Sequence, residues 1–173
     1  RVLNAGQAEI KGLELEATYA ATDDLTLNLG VGYIDSKFVE FITQDPDTLD
    51  FVDSADNLDI SNTPDWSVNL GANYTYVADI GDFVFTANAS YRGETQIFEA
   101  ASPIDEDAYT IVNVGATFYH ADGNWSASLQ GSNIFDEQVR IAGYNFTGLG
   151  LEDSIIGYYN DPATVSFTVK YEF

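Results

Sequence analysis

The sequence predicts an all-β fold, an antiparallel transmembrane β-barrel wall of which these 173 residues supply about seven strands. Three observations carry this reading: apolar and polar residues alternate in segments of about ten residues, aromatic residues gather at the segment ends, and short and long connections take turns. Tilted strands of roughly this length span an outer membrane, and one face of each must meet lipid while the other meets water.

The last segment shows the pattern most plainly. Ala163, Val165, Phe167, Val169, Tyr171 and Phe173 alternate with Thr164, Ser166, Thr168, Lys170 and Glu172. The first segment sets Leu13, Leu15, Ala17 and Tyr19 against Glu14, Glu16 and Thr18, and the second sets Leu25, Leu27, Leu29, Val31 and Tyr33 against Thr26, Asn28 and two glycines. In the third, Trp66, Val68, Leu70, Ala72, Tyr74 and Tyr76 oppose Ser67, Asn69, Gly71, Asn73 and Thr75. The fourth has Phe83, Phe85, Ala87, Ala89 and Tyr91 against Thr86, Asn88, Ser90, Arg92 and Glu94, with Val84 as the exception. Val112, Val114, Ala116 and Phe118 form the fifth apolar row, and Trp125, Ala127 and Leu129 the sixth.

Tyr19, Tyr74, Tyr76, Phe83, Phe85, Phe118, Trp125, Tyr171 and Phe173 would share one rim, and Tyr33, Trp66 and Tyr91 the other. Amphipathic rings favour both membrane interfaces. Short turns are expected at 21–24, 78–82 and 120–124, and long loops at 40–63, 99–108 and 143–161. Barrels of this class put short turns in the periplasm and long loops outside, so the last residue falls on the periplasmic side. Seven is odd, whereas a single-chain bacterial barrel has an even number of strands, so further strands are expected before Arg1.

Composition narrows the function. Six Lys plus Arg stand against 28 Asp plus Glu, a formal net charge of −22, which disfavours nucleic acid as a partner. The absence of Cys removes disulfides, thiolate metal sites and Cys nucleophiles. No apolar run approaches the roughly 20 residues of a membrane-spanning helix. The single His, His120, sits in a short turn and has no Ser and Asp partners suited to nucleophilic catalysis, so no enzyme activity, catalytic residue or cofactor is expected. Asp45, Asp47, Asp50, Asp53, Asp56 and Asp59 form an acidic loop, but the glycine and closing glutamate of an EF-hand are missing. A solvated acidic loop is the better reading, and no metal site is assigned.

Arg92, Glu94 and Gln96 continue the water-facing side of the fourth strand toward its outer end, where a passing substrate would meet them; pairing within the barrel wall is the alternative. The loop aromatics Tyr144, Phe146, Tyr158 and Tyr159 are candidates for a ligand surface or for packing the loop. Asn133 and Asp136 interrupt the alternation of the sixth segment and mark a bulge or strand end.

The run Asn4-Ala5-Gly6-Gln7-Ala8-Glu9-Ile10-Lys11-Gly12-Leu13-Glu14-Leu15-Glu16 resembles a segment of the TonB-dependent receptors. Pro64-Asp65-Trp66, Gly131-Ser132-Asn133-Ile134-Phe135-Asp136-Glu137 and the final Phe173 are similar to that family's C-terminal barrel half, and the likeness covers nearly the whole chain. It implies a barrel of about 22 strands around a plug domain, with residues 1–173 as the C-terminal portion of the barrel domain and the plug and N-terminal strands outside it. It also implies import of a scarce nutrient, such as a ferric siderophore, cobalamin or a glycan, across the bacterial outer membrane. Energy would come from the TonB complex acting through the part before Arg1. The row Val165, Phe167, Val169, Tyr171 and Phe173 resembles the signal that the barrel assembly machinery reads. Rival readings are a passive porin or structural barrel and a soluble glycan-binding β-sandwich.

Overall fold

The computed structural model describes residues 6–45, 47–147, 150 and 153–173. Asn4 and Ala5 of the opening motif and Pro46 of the acidic loop lie outside the described residues. Seven long strands form one antiparallel meander: β1 (Gly6–Ala20), β2 (Leu25–Gln44), β4 (Trp66–Ala78), β5 (Gly81–Arg92), β6 (Tyr109–His120), β7 (Trp125–Ser132) and β10 (Thr164–Tyr171), in the spatial order β1-β2-β4-β5-β6-β7-β10. These are the seven segments read from the alternation. No helix among the described residues is long and apolar enough to cross a membrane, which says nothing of a strand-built span.

The register carries each strand's alternation across the sheet. Phe167 pairs with Leu129, Leu129 with Ala116, Ala116 with Phe85, Phe85 with Tyr74, and Tyr74 with Leu25. Three residues along, Asn113 pairs with Asn88, Asn88 with Gly71, Gly71 with Asn28, and Asn28 with Thr18. Because the side-chain period is two, any slip of one residue would scramble both rows. The polar row is bonded sideways: Asn113 Nδ2 donates to Asn88 Oδ1 at 3.1 Å, and Thr18 Oγ1 to Asn28 Oδ1 at 3.0 Å. Ser90 Oγ donates to Asn69 Oδ1 at 2.7 Å one step away.

At the short-turn end the rings form a belt. Centroid separations are 6.3 Å for Tyr76 and Phe83, 4.7 Å for Phe83 and Phe118, and 5.3 Å for Phe118 and Trp125. Tyr171 pairs with Trp125 and lies 4.9 Å from the Phe173 ring. Tyr33 and Trp66, 4.7 Å apart, stand at the opposite end.

The expected long loops contain more regular structure than the sequence suggests. The 40–63 connection starts as strand, since β2 runs to Gln44 and pairs there with β3 (Phe51–Asp53) before a 3-10 turn at Ala55–Asn57. Val52 sits opposite Thr43, so β-branched and aromatic residues override the acidity of the loop. The 143–161 region likewise holds a hairpin, β8 (Arg140–Asn145) against β9 (Ile155–Tyr159).

The sheet is a single layer, so its large side chains stay open: Leu70 is 52% exposed and Phe167 69%. Buried hydrophobic side chains gather instead at the long-loop end, where Ile104, Val139 and Ala55 lie. That location positions the candidate site.

Candidate functional site

At the long-loop end, the connection 93–108 and the β8–β9 hairpin are fastened together. Ile104, 2% exposed, sits under the hairpin, and a Cβ on Gly143 would come within 2.9 Å of its Cδ1. The same Cβ would lie 2.6 Å from the Ile156 carbonyl oxygen of the paired strand, a backbone atom that cannot swing aside. Arg140 spans the joint: its Nη1 donates to the carbonyls of Asp105 at 2.8 Å and Pro103 at 3.1 Å, and its backbone N–H donates to Glu106 Oε2 at 2.9 Å. Asp105 in turn accepts from the backbone N–H groups of Ile97 and Ser102 and holds the loop closed. Asn145 Nδ2 donates to Ser102 Oγ at 3.2 Å.

The base of the hairpin is tied by Asn133, which is 5% exposed and has a left-handed φ of 50°. Its Nδ2 donates to the carbonyls of Glu137 at 2.9 Å and Asp161 at 3.2 Å, and its Oδ1 accepts from the Glu137 N–H at 2.9 Å. The break in alternation at Asn133 and Asp136 is therefore a strand end: β7 stops at Ser132, and Asp136 also has a positive φ of 55°.

Arg92 closes β5 in the polar register opposite Ser67, and its Nη2 donates to the Asn62 carbonyl at 2.9 Å. That hydrogen bond goes to a backbone oxygen. Gln96 Nε2 donates to Asp59 Oδ2 at 2.6 Å, while Gln96 Oε1 is buried with no partner among the described residues. Glu94 and Gln96 share a cleft of about 690 Å³ with Asp59, Trp66, Tyr91 and Asp107. Arg92 lies beside this cleft rather than in its lining.

Three of the four loop aromatics come together. The Tyr144 ring is stacked 5.9 Å from Phe146 and sits edge-on 6.3 Å from Tyr158. Tyr159, opposite Arg140 at the other end of the hairpin, is apart from that cluster. Val165, Phe167, Val169 and Tyr171 occupy β10, all exposed, with Phe173 just beyond it.

The acidic connection uses its carboxylates on its own backbone. Asp45 Oδ1 accepts from the N–H groups of Thr48 and Asp47, and these bonds hold its pKa below the ordinary carboxylate value. Asp53 Oδ1 accepts from Phe41 and Ala55, with the same direction of shift. No group of three or more His, Asp or Glu among the described residues is arranged to hold a metal ion. His120 Nδ1 lies 2.8 Å from Asp122 Oδ1 in a short turn, its ring stacked 5.1 Å from Trp125.

Sequence reasoning missed Arg140, Asp105 and the joining roles of Asn113 and Asn133. An isolated arginine in so acidic a chain was the available signal for Arg140; its partners are loop carbonyls and the Glu106 carboxylate, 3.7 Å from its Nε, all far away in sequence, which no spacing encodes.

Comparison with known proteins places this arrangement. The chain is 26% identical over 176 residues to the ferric-pyoverdine M114 receptor PbuA of Pseudomonas sp. (strain M114), covering 99% of this chain and 19% of that protein. Its fold matches the ferric yersiniabactin uptake receptor FyuA of Yersinia pestis with a TM-score of 0.76 at 18% identity, over 98% of this chain and 24% of that one. It also matches the outer-membrane ferripyoverdine receptor of Pseudomonas aeruginosa with a TM-score of 0.64 at 18% identity, over 96% and 20%. The chain thus spans less than a quarter of each of these proteins, and the structural likenesses bear on the fold alone. The family model described as TonB dependent receptor-like, beta-barrel, matches residues 1–134, and the chain belongs to that family.

Proposed function

We propose that residues 1–173 form an arc of the barrel wall, the C-terminal one, in an outer-membrane receptor that imports a ferric siderophore with energy delivered through the TonB complex. The observation that carries this reading is the two-faced single sheet. Its apolar face leaves Leu70, Leu129, Val165 and Phe167 between about half and three-quarters exposed, far more contiguous apolar surface than a soluble domain tolerates. Lipid covers that face, and the amide-rich face lines a wet lumen. The aromatic belts sit at the two interfaces, with the long connections outside and the short turns in the periplasm.

The fastened loops form the outer mouth on this arc. Glu94 and Gln96 line its cleft, where the unpartnered Gln96 Oε1 is available to a ligand's donor after a small side-chain shift. Arg92 braces that cleft through Asn62. Tyr144, Phe146 and Tyr158 offer an aromatic surface for an iron chelate's organic shell. Tyr159 contributes less, being apart from the cluster. Val165, Phe167, Val169, Tyr171 and Phe173 supply both the lipid contact and the row read by the barrel assembly machinery. The named relatives are receptors, and the reading assigns no catalytic step.

Uptake of iron-55 siderophores, prepared from iron-starved cultures, tests the reading in cells producing the complete protein. Saturable uptake that stops when TonB is removed is the expected result. Uptake that continues without TonB would instead identify a passive porin.

A further inference from the structure

A side chain of the wall is bonded to the collar at the base of the hairpin. Asn113 stands in the polar row of β6, and its Oδ1 accepts the backbone N–H of Asn133 at 2.9 Å. The neighbouring bond, Ile134 N–H to the Val112 carbonyl at 3.0 Å, is backbone to backbone. Beyond Asn133 the collar continues through Asn160, whose Oδ1 accepts from Val139 N–H and whose Nδ2 donates to the Glu137 carbonyl. Asp136 Oδ1 completes it by accepting from Ala163 N–H. Both feet of the outer hairpin thus meet at Asn133.

The other end of the Asn113 amide faces the wall. Its Nδ2 donates to Asn88 Oδ1, so flipping the amide would set a donor against the Asn133 N–H and an acceptor against Asn88. Beside it, a cavity of about 310 Å³ on the polar face is lined by Gly71, Asn73, Asn88, Asn113 and Gln130. A polar group entering there competes for the Asn88–Asn113 bond. We infer that Asn113 is a positioning residue that links occupancy of this amide-lined cavity to the position of the outer hairpin through Asn133. The inference rests on the reading of the polar face as lumen. Hydrogen bonds joined through one amide strengthen or weaken together, which gives the link its physical basis.

The test uses the complete receptor in lipid vesicles, with spin labels at Ile155→Cys on the hairpin and Thr110→Cys on the wall. Asn113→Ala should shift and broaden the distance distribution. Asn113→Asp, which retains the acceptor for Asn133 but loses the donor to Asn88, should disturb it less than Asn113→Ala does. Asn69→Ala removes a bond of the same kind on the same face, the one from Ser90, and should leave the distribution unchanged. Gly71→Asn places an amide beside Asn88, where a Cβ meets only ordinary contacts with Asn28 at 3.5 and 3.6 Å. It should move the hairpin in the native background and add nothing to Asn113→Ala. A native distribution in Asn113→Ala, or equal broadening in Asn69→Ala, would overturn the inference. If Asn113→Ala fails to assemble, Gly71→Asn decides alone, a native distribution counting against the link. A separate label at Asn88 reached by oxygen but not by a polar nickel chelate would refute the lumen reading itself, independently of the distances.

Discussion

The Arg140 guanidinium crosses from the β8–β9 hairpin to the 93–108 connection and donates to the Asp105 carbonyl at 2.8 Å. The pair joins two long-loop segments that are separate in sequence, while Asp105 itself closes its own loop through Ile97 and Ser102. Replacing Arg140 by Met should keep much of the packing but strand the carbonyls of Pro103 and Asp105 and remove the ion pair with Glu106. A bond from a charged donor is worth about 1.5–3 kcal/mol when its partner is desolvated, and partial exposure here puts the loss toward the lower end. Hydrogen exchange at the Thr95 and Ile97 amides should accelerate by about tenfold, while wall amides such as Asn88 stay protected. Lysine should not rescue, because it lacks the planar fork.

The acidic connection should respond to pH with a definite sign. Asp45 and Asp53 have lowered pKa values because they accept backbone N–H bonds, Asp45 mainly from Thr48 and Asp53 mainly from Phe41. A depressed folded-state value contributes stability that is present above the unfolded Asp value and is lost as pH falls through the folded one. The 40–63 segment should therefore hold its order from neutral pH down to the ordinary Asp range, near 4, and loosen below it. Spin-label mobility at Asp56 reads this. Asp53→Asn keeps an acceptor without the carboxylate's titration and should reduce the response; loosening already at pH 6 would contradict the assignment.

The seven wall strands were legible because each repeats one physical demand, apolar toward one side and polar toward the other, over enough residues to rise above noise. β3 and the β8–β9 hairpin were not. β3 is three residues long, and the hairpin sets Gly143 directly opposite Gly157, so its centre has no side chains to alternate. Gly143 is explained by the Ile156 carbonyl across the hairpin together with Ile104, a residue of another loop. The site at the long-loop end was legible only in parts: Tyr144, Phe146 and Tyr158 announced themselves as aromatics, whereas Asn113 reads as one more asparagine of the polar row until its Oδ1 is seen to hold Asn133.

Two turn glycines should separate strain from collision. Gly81 has a φ of 138°, and an added Cβ would lie 2.1 Å from the Tyr119 carbonyl oxygen. Gly123, with a φ of 76°, has nothing within 4 Å. Gly123→Ala should cost about 1–2 kcal/mol for the left-handed backbone alone. Gly81→Ala should cost that strain plus a displacement of β6 against β5. Urea titration of the complete protein folded into vesicles checks the order, and equal losses would mean that the β4–β5 turn relaxes without resistance.

The two faces can be distinguished within one strand, at neighbouring positions. Leu70 pairs with Leu29 and Ala89 in the apolar register, and Asn69 pairs with Gly30 and Ser90 in the polar one. Both lie in the middle of β4, so they share depth, strand environment and distance from the turns. An arginine on the lipid face near the bilayer midplane costs about 2–4 kcal/mol, because its charge must be desolvated or drag water and headgroups inward. On the lumen face the same side chain keeps its water, and the main loss at Asn69 is the bond from Ser90, about 0.5–1.5 kcal/mol. Folding titrations into vesicles should therefore place Leu70→Arg well below Asn69→Arg in stability. The two costs would exchange places if the register of β4 were shifted by one residue. They would converge if the sheet were one wall of a soluble sandwich whose faces both met water, and convergence would remove the membrane from the account altogether.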